Sequence, residues 1–227
     1  MKTLLLLLAS AAVLPANPPS SAMKLVWSDD FKDPELDPAK WTFEGDKEAV
    51  SIKDGKLVLA LRERPDGWQG SGVSTRDKFT QQQGYFEASL RFSATKGHHG
   101  AFIIRNKSVS EPPAASLYFE CFGEDKLVPW AKVADAKGVR ELRPVKTDLN
   151  NKPGQVAKGF NTYGFLWTER QYAWYFNGKL VHKLDKPEVK EAMHVYLGHS
   201  VSDFERKDLQ VSKLPDDVEV DWVKVWK

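Results

Sequence analysis

Tyr163-Gly164-Phe165-Leu166-Trp167-Thr168-Glu169-Arg170-Gln171-Tyr172-Ala173-Trp174-Tyr175-Phe176-Asn177-Gly178-Lys179-Leu180-Val181-His182 contains two aromatic-rich runs and a strong turn signal. Aromatic and β-branched side chains suit a pleated, half-buried surface, so Tyr163–Trp167 and Tyr172–Phe176 read as the arms of a hairpin. Asn177-Gly178 is the strongest turn signal in the chain, because a two-residue type I′ turn needs positive φ at both central positions. It leads into a third run, Lys179-Leu180-Val181-His182.

The same short-run pattern extends in both directions. Lys56–Leu61, Tyr85–Phe92, Ala101–Arg105, Ser116–Phe122, His194–Gly198 and Val218–Trp226 all read as strands bounded by turn residues. In the last run Val218, Val220, Trp222 and Val225 are expected near one another, with Glu219, Asp221 and Lys224 between them. Only Pro187–Met193 has a helical look, and it is short. Many short strands and almost no helix predict an all-β fold, a two-sheet antiparallel β-sandwich of the jelly-roll kind. Residues 107–114 and 123–159 read as loop-rich, the second stretch being long, and long loops on a rigid scaffold often carry binding function.

The chain has 227 residues, of which 41% are hydrophobic, and eight tryptophans, enough for a substantial core. Lys and Arg total 33 against 31 Asp and Glu, a formal net charge of +2. That near-balance gives no overall field for nucleic acid, and no nucleic-acid partner is expected. Cys121 is the single cysteine, which excludes an intrachain disulfide and cysteine-rich zinc sites. Met1-Lys2-Thr3 followed by Leu4–Leu8 and a run of small apolar residues reads as a signal peptide. Residues 1–22 are therefore expected to be a leader, cut after Ala11, Ala16 or Ala22, and residues 23–227 a single domain. The expected location is secreted or periplasmic. No other apolar run reaches spanning length, so no integral membrane segment is expected. A monomer is the default.

Four segments in order resemble glycoside hydrolase family 16, the laminarinase-like jelly rolls. They are Trp27-Ser28-Asp29-Asp30-Phe31 with Leu36-Asp37-Pro38-Ala39-Lys40-Trp41, then Gly84-Tyr85-Phe86-Glu87-Ala88, then Phe160–Thr168 with Tyr175–Val181, then Val220–Trp226. The resemblance implies a concanavalin-like jelly roll and an endo-acting protein of polysaccharide metabolism with a β-linked polysaccharide as partner. No cofactor is required on this reading. The resemblance allows a structural Ca²⁺, for which Asp30 and Asp221 sit at matching ends of the chain.

The family's chemistry lies on one strand, Glu-x-Asp-x-Glu or a bulged form with one more residue. Alternation puts the three carboxylates of the unbulged form on one face. A retaining glycosidase needs two carboxyl groups roughly 5–5.5 Å apart, one to attack the anomeric carbon and one to protonate the leaving oxygen. The matching strand here is Ser116-Leu117-Tyr118-Phe119-Glu120-Cys121-Phe122. The unbulged match places Glu120 at the acid/base, Tyr118 at the middle Asp and Ser116 at the nucleophile. The bulged match would use Ala115 and Leu117 instead. The unbulged match is preferred, because Leu117, Phe119 and Cys121 then form an apolar face opposite Ser116, Tyr118 and Glu120. Either way the nucleophilic carboxylate is missing, and an unactivated serine is a weak nucleophile.

Upstream, Gly97-His98-His99-Gly100-Ala101-Phe102-Ile103 stands where family members often have tryptophans forming a sugar platform. His99 and Ile103 take those places. Adjacent histidines on a strand point to opposite faces, so His98 and His99 make no two-ligand metal site together. Glu120 is the expected catalytic acid/base, with Tyr118, Ser116, His99 and Trp130 as substrate-binding residues. Trp130, in the long loop, offers a ring to stack on sugar or to pin the loop. Glu124, Asp125 and Glu141 are the candidate replacement carboxylates. Two readings follow: a carbohydrate-active hydrolase with a non-standard mechanism, and a non-catalytic, lectin-like glycan-binding protein on the same scaffold.

Overall fold

The computed structural model describes residues 18–65, 67–93, 95–108, 110–122, 126–143, 155–187, 189–201, 206–214 and 216–227. Residues 1–17 of the expected leader, and Glu124 and Asp125, lie outside the described residues. The chain opens with β1 (Leu25–Asp29), β2 (Thr42–Gly45), β3 (Val50–Lys53), β4 (Lys56–Arg64), β5 (Gly67–Gln69) and β6 (Ser71–Ser74). It continues with β7 (Gly84–Arg91), β8 (His98–Arg105), β9 (Ala114–Phe122), β10 (Lys126–Asp135) and β11 (Gly138–Leu142). After a single helical turn, α1 (Gln155–Lys158), come β12 (Asn161–Trp167), β13 (Gln171–Phe176), β14 (Lys179–Asp185), β15 (His194–Val201) and β16 (Asp216–Trp226).

These strands form two antiparallel sheets in a jelly-roll sandwich. One sheet runs β14-β13-β12-β7-β16-β4-β3, with β1 joined to β16 and β5 to β4. The other runs β11-β10-β9-β8-β15-β6-β2. The hairpin expected from residues 163–182 is present: Phe165 pairs with Trp174, and Asn177 and Gly178 take φ of 49° and 72°.

The core fills the space between the sheets. From the seven-stranded sheet Leu117, Phe119 and Cys121 point inward with no exposed surface. Phe165 meets Phe102 and Phe119 at centroid distances of 4.8 and 5.1 Å. Trp174 of β13 donates its indole N–H across the interior to the Tyr118 carbonyl at 3.0 Å, which satisfies a buried polar group and ties the two sheets. The opening motif has a local cause as well. Asp29 accepts from the Trp41 indole at 2.8 Å and from the Phe31 amide at 3.0 Å. That contact pins the segment between β1 and β2 onto the core.

Three expectations need correction. Residues 123–159 are not all loop: β10 and β11 form a hairpin there, extending the sheet beyond β9. Its signal is weak because Val128, Trp130 and Val133 are interleaved with Pro129, Lys132 and alanines. The described residues of Pro187–Met193 form no helix. In β16 a register shift between Val220 and Trp222 changes the face count. The core receives Val218, Val220, Val223 and Val225, and Trp222 turns away, with the Lys224 ammonium 4.6 Å from its ring centroid.

Phe165→Ala is expected to lower unfolding stability by about 3–5 kcal/mol, through lost burial and a residual cavity. Gly178→Ala should cost about 1 kcal/mol, since its φ is left-handed but no neighbour lies within 4 Å of an added Cβ. Urea unfolding of both variants checks the order.

Candidate functional site

Register builds the site. Along β9, Ser116 faces Arg105, Tyr118 faces Ile103, Glu120 faces Ala101 and Phe122 faces His99 on β8. On the other side Ser116 pairs with Lys132, Tyr118 with Trp130 and Glu120 with Val128 on β10. Neither ladder shifts register, so β9 is an unbulged strand. Ser116, Tyr118 and Glu120 share the outer face of the seven-stranded sheet.

Glu120 is 6% exposed, and both of its oxygens are engaged. Trp130 Nε1 donates to Oε2 at 2.6 Å. His99 Nε2 lies 3.1 Å from Oε1. That nitrogen makes no aligned hydrogen bond, so the contact is electrostatic and attracts when the ring is protonated. Ring orientation is set by Phe122, stacked at 4.8 Å and 3°, and by Ser200 Oγ at 3.3 Å from Nδ1.

Trp130 lies in a strand, not in a loop. Tyr118 stacks on it at 4.2 Å, and the Arg143 guanidinium sits 4.4 Å from the ring centroid. A stacked ring occupies one face, so the guanidinium must cover the other. Trp130 is 5% exposed and offers no open platform; its role is to hold Glu120 and support Tyr118.

Ser116 is 2% exposed between strands that carry Arg105 and Lys132 as its partners. The nearby carboxylates are bound to cations. Glu141, on β11, pairs with Lys132 at 3.5 Å and Arg143 at 3.2 Å. Partial burial works against its charge, but Arg143 and Lys132 overcome this and hold its carboxyl below the ordinary range. A carboxylate held there is a poorer base. Burial, and then the negative Glu120, push the Tyr118 phenol up against an opposing Ser116 hydrogen bond. Tyr118 is a hydrogen-bond donor at neutral pH, not a nucleophile.

The face continues across β15 with residues that sequence reasoning missed. Tyr196 pairs with Ile103, and the Arg105 guanidinium lies 4.7 Å from its ring centroid. The ring lies over Gly198: a Cβ there would come within 2.3 Å of the phenol oxygen, so only glycine leaves room. Arg105 also pairs with Glu44 of β2 at 3.1 Å and donates to His194 Nε2 at 3.3 Å. Burial, and then Arg105, push the His194 pKa from 6.5 down to about 4. The strand His194–Gly198 is legible in sequence, but its facing register is not.

His98 is turned inward, 1% exposed, so the two adjacent histidines do serve opposite faces. Asp221 lies on β16 of the other sheet, and Asp30 directly follows the end of β1 in that sheet. The β1–β16 ladder ends at Asp29 and Val223, and the bulge leaves Asp221 with no Cα partner.

The chain belongs to glycosyl hydrolase family 16, whose model matches residues 37–224. It is 28% identical over 145 residues to an endo-1,3-1,4-beta-glycanase, ExoK, of Rhizobium meliloti, covering 62% of this chain and 51% of that one. It is 25% identical over 186 residues to an extracellular agarase of Streptomyces coelicolor, covering 70% of this chain and 58% of that one. The chain thus spans about half the length of these curated relatives. Laminarinase from Flavobacterium sp. UMI-01 has the same fold, with a TM-score of 0.74 at 20% identity over 90% of this chain and all of that one. A glutamate-to-serine mutant of the non-specific endo-β-1,3(4)-glucanase SCLam, with an oligosaccharide at its active site, matches with a TM-score of 0.74 at 18% identity, over 96% of this chain and 98% of that one.

Trp130→Phe keeps an aromatic ring for Tyr118 to stack on but removes the N–H that donates to Glu120. It is expected to cost about 1.5–3 kcal/mol in urea unfolding, the range for a hydrogen bond to a charged group. His194 gives a pH signature. Its folded pKa lies below its ordinary 6.5, so the unfolded chain takes up the proton first. The stability it contributes is complete above about pH 6.5 and lost as pH falls toward 4, at roughly 1 kcal/mol per pH unit. In His194→Gln the slope of unfolding free energy against pH should flatten in that window.

Proposed function

We propose that this protein binds β-linked polysaccharide along the outer face of the seven-stranded sheet, without the two-carboxylate hydrolysis of its family. The observation that carries this reading is the pair Ser116 and Glu120. The position for a nucleophilic carboxylate holds a buried serine flanked by Arg105 and Lys132. The remaining carboxylate is held by Trp130 and His99. A fixed carboxylate with paired cations and phenols nearby suits recognition of sugar hydroxyls. The two-carboxylate displacement at an anomeric carbon needs a second carboxylate. Tyr196 and Tyr118 supply ring surface, and His99, Arg105 and Lys132 supply polar contacts. The glucanase bearing serine for glutamate, which holds an oligosaccharide, gives this reading a parallel on the same fold.

The competing reading is hydrolysis with Glu120 as the acid. It is favoured by the relatives, which are named as glycanases and an agarase. Export to the periplasm or medium belongs to the same proposal, as does a Ca²⁺ held by Asp30 and Asp221.

Affinity electrophoresis and reducing-end release on β-glucans, agarose and carrageenans test the proposal together. Retardation by one polymer is expected, without sugar release, and Tyr196→Ala or Glu120→Gln should weaken that retardation about tenfold. Sugar release that disappears in Glu120→Gln would replace binding with hydrolysis. Adding Ca²⁺ to EGTA-treated protein should raise Tm, and Asp221→Asn should abolish that rise.

A further inference from the structure

His98 lies back to back with His99 on β8, on the inner face of the sheet. It does not belong to the glycan face. Its Nδ1 is 2.7 Å from Asp216 Oδ2 and 3.3 Å from Nε2 of His199 on β15. The three ligand atoms all lie within 4.8 Å of one another. Both histidines are 1% exposed.

The protonation pattern follows from the partners. His199 Nδ1 is 3.0 Å from the Leu59 carbonyl, which can only accept, so Nδ1 carries the hydrogen. With Nδ1 turned to that carbonyl, Nε2 is the nitrogen that faces His98. Donation of one ring N–H to a carbonyl, with the other nitrogen left free, is the usual outer support of a metal-binding histidine. A hydrogen-bonded relay accounts poorly for the rest. Among the described residues the short His98–Asp216 contact is poorly aligned at Oδ2, Ser93 also hydrogen-bonds Asp216, and His98 Nε2 is buried without a hydrogen-bond partner.

We propose that His98 Nδ1, His199 Nε2 and Asp216 Oδ2 form a binding site for a divalent transition metal, zinc by preference. Two imidazoles and one carboxylate are a zinc-type donor set and a poor one for Ca²⁺ or Mg²⁺. Tetrahedral zinc with bonds of about 2.0–2.1 Å puts its ligand atoms about 3.3 Å apart. The nitrogen–nitrogen distance already fits, the His98–Asp216 contact must open by roughly half an ångström, and the widest pair, within 4.8 Å, must close to the same spacing. Asp216 has a 20% exposed side chain, which gives solvent access to a fourth position. The site draws on β8 and β15 from one sheet and β16 from the other, so the metal would clamp the sandwich in a chain that has one cysteine. It would also fix the strand that carries His99 to Glu120.

The test uses the tag-free full chain, stripped with dipicolinate and reloaded with Zn²⁺ or Co²⁺. One equivalent should survive gel filtration, and Co²⁺ should give the intense visible absorption of a four-coordinate site. Zinc at about a hundred times its Kd should raise Tm by roughly 5–10 °C. His199→Gln and Asp216→Asn should each abolish these effects, and His182→Gln should keep them. X-ray absorption on the zinc-loaded, unsubstituted chain should count two imidazoles, a readout that needs no variant to fold. Failure to retain metal, an unchanged Tm, fewer than two imidazoles, or binding that survives His199→Gln (an adventitious ion only) would overturn the proposal.

Discussion

The unbroken alternation of β9 between its two neighbours is the constraint on which the rest depends. Because neither ladder slips, every second residue is committed to the core and every other one to the outer face. Leu117, Phe119 and Cys121 anchor the strand against the aromatic cluster of the opposite sheet. Ser116, Tyr118 and Glu120 are thereby presented together with no freedom to retreat. A slip of one residue would bury Glu120 among phenylalanines and expose Phe119. The core that stabilises the fold also aims the site.

The site inverts the usual division of labour for its aromatic residues. A tryptophan on a carbohydrate face is expected to offer its ring. Trp130 instead has Tyr118 on one side and Arg143 on the other, and its polar edge goes to Glu120. The accessible ring surface passes to tyrosines, of which Tyr196 lies low only because Gly198 makes room. Cations are treated alike: Arg105, Lys132 and Arg143 are each paired with a glutamate. The face is therefore rich in hydrogen-bonding groups and nearly balanced in charge, as suits a sugar polymer whose contacts are mostly hydroxyls.

Much of the fold was legible in sequence, because its evidence is local. Asn177-Gly178 dictates a turn from two residues, and the aromatic runs beside it have strand periodicity. The single apolar face of β9 was legible, and its pairing with both neighbours runs without a register shift. Non-local features were not legible. The bulge that moves Trp222 off the core depends on how β16 meets two neighbours at once. Trp130 reads as a loop residue in sequence because Pro129 and the alanines around it mask a strand that exists by virtue of pairing with β9. Tyr196 and His194 lay on an expected strand, but which face they share with Glu120 is a matter of register. His98 was correctly separated from His99, but its true companions are 101 and 118 positions away, at His199 and Asp216.

The two ends of the described domain are laced to each other. β1 runs along β16, and Lys24 and Lys227 exchange backbone hydrogen bonds of 2.8 and 2.9 Å. Topologically the polypeptide is almost a ring, with its seam on the sheet opposite the outer face that bears Glu120. A short bridge across that seam would let new termini open at the Asn177-Gly178 turn without breaking a single ladder. Anything tethered at the seam would leave from the back of the molecule, and the face that bears Glu120 would stay clear.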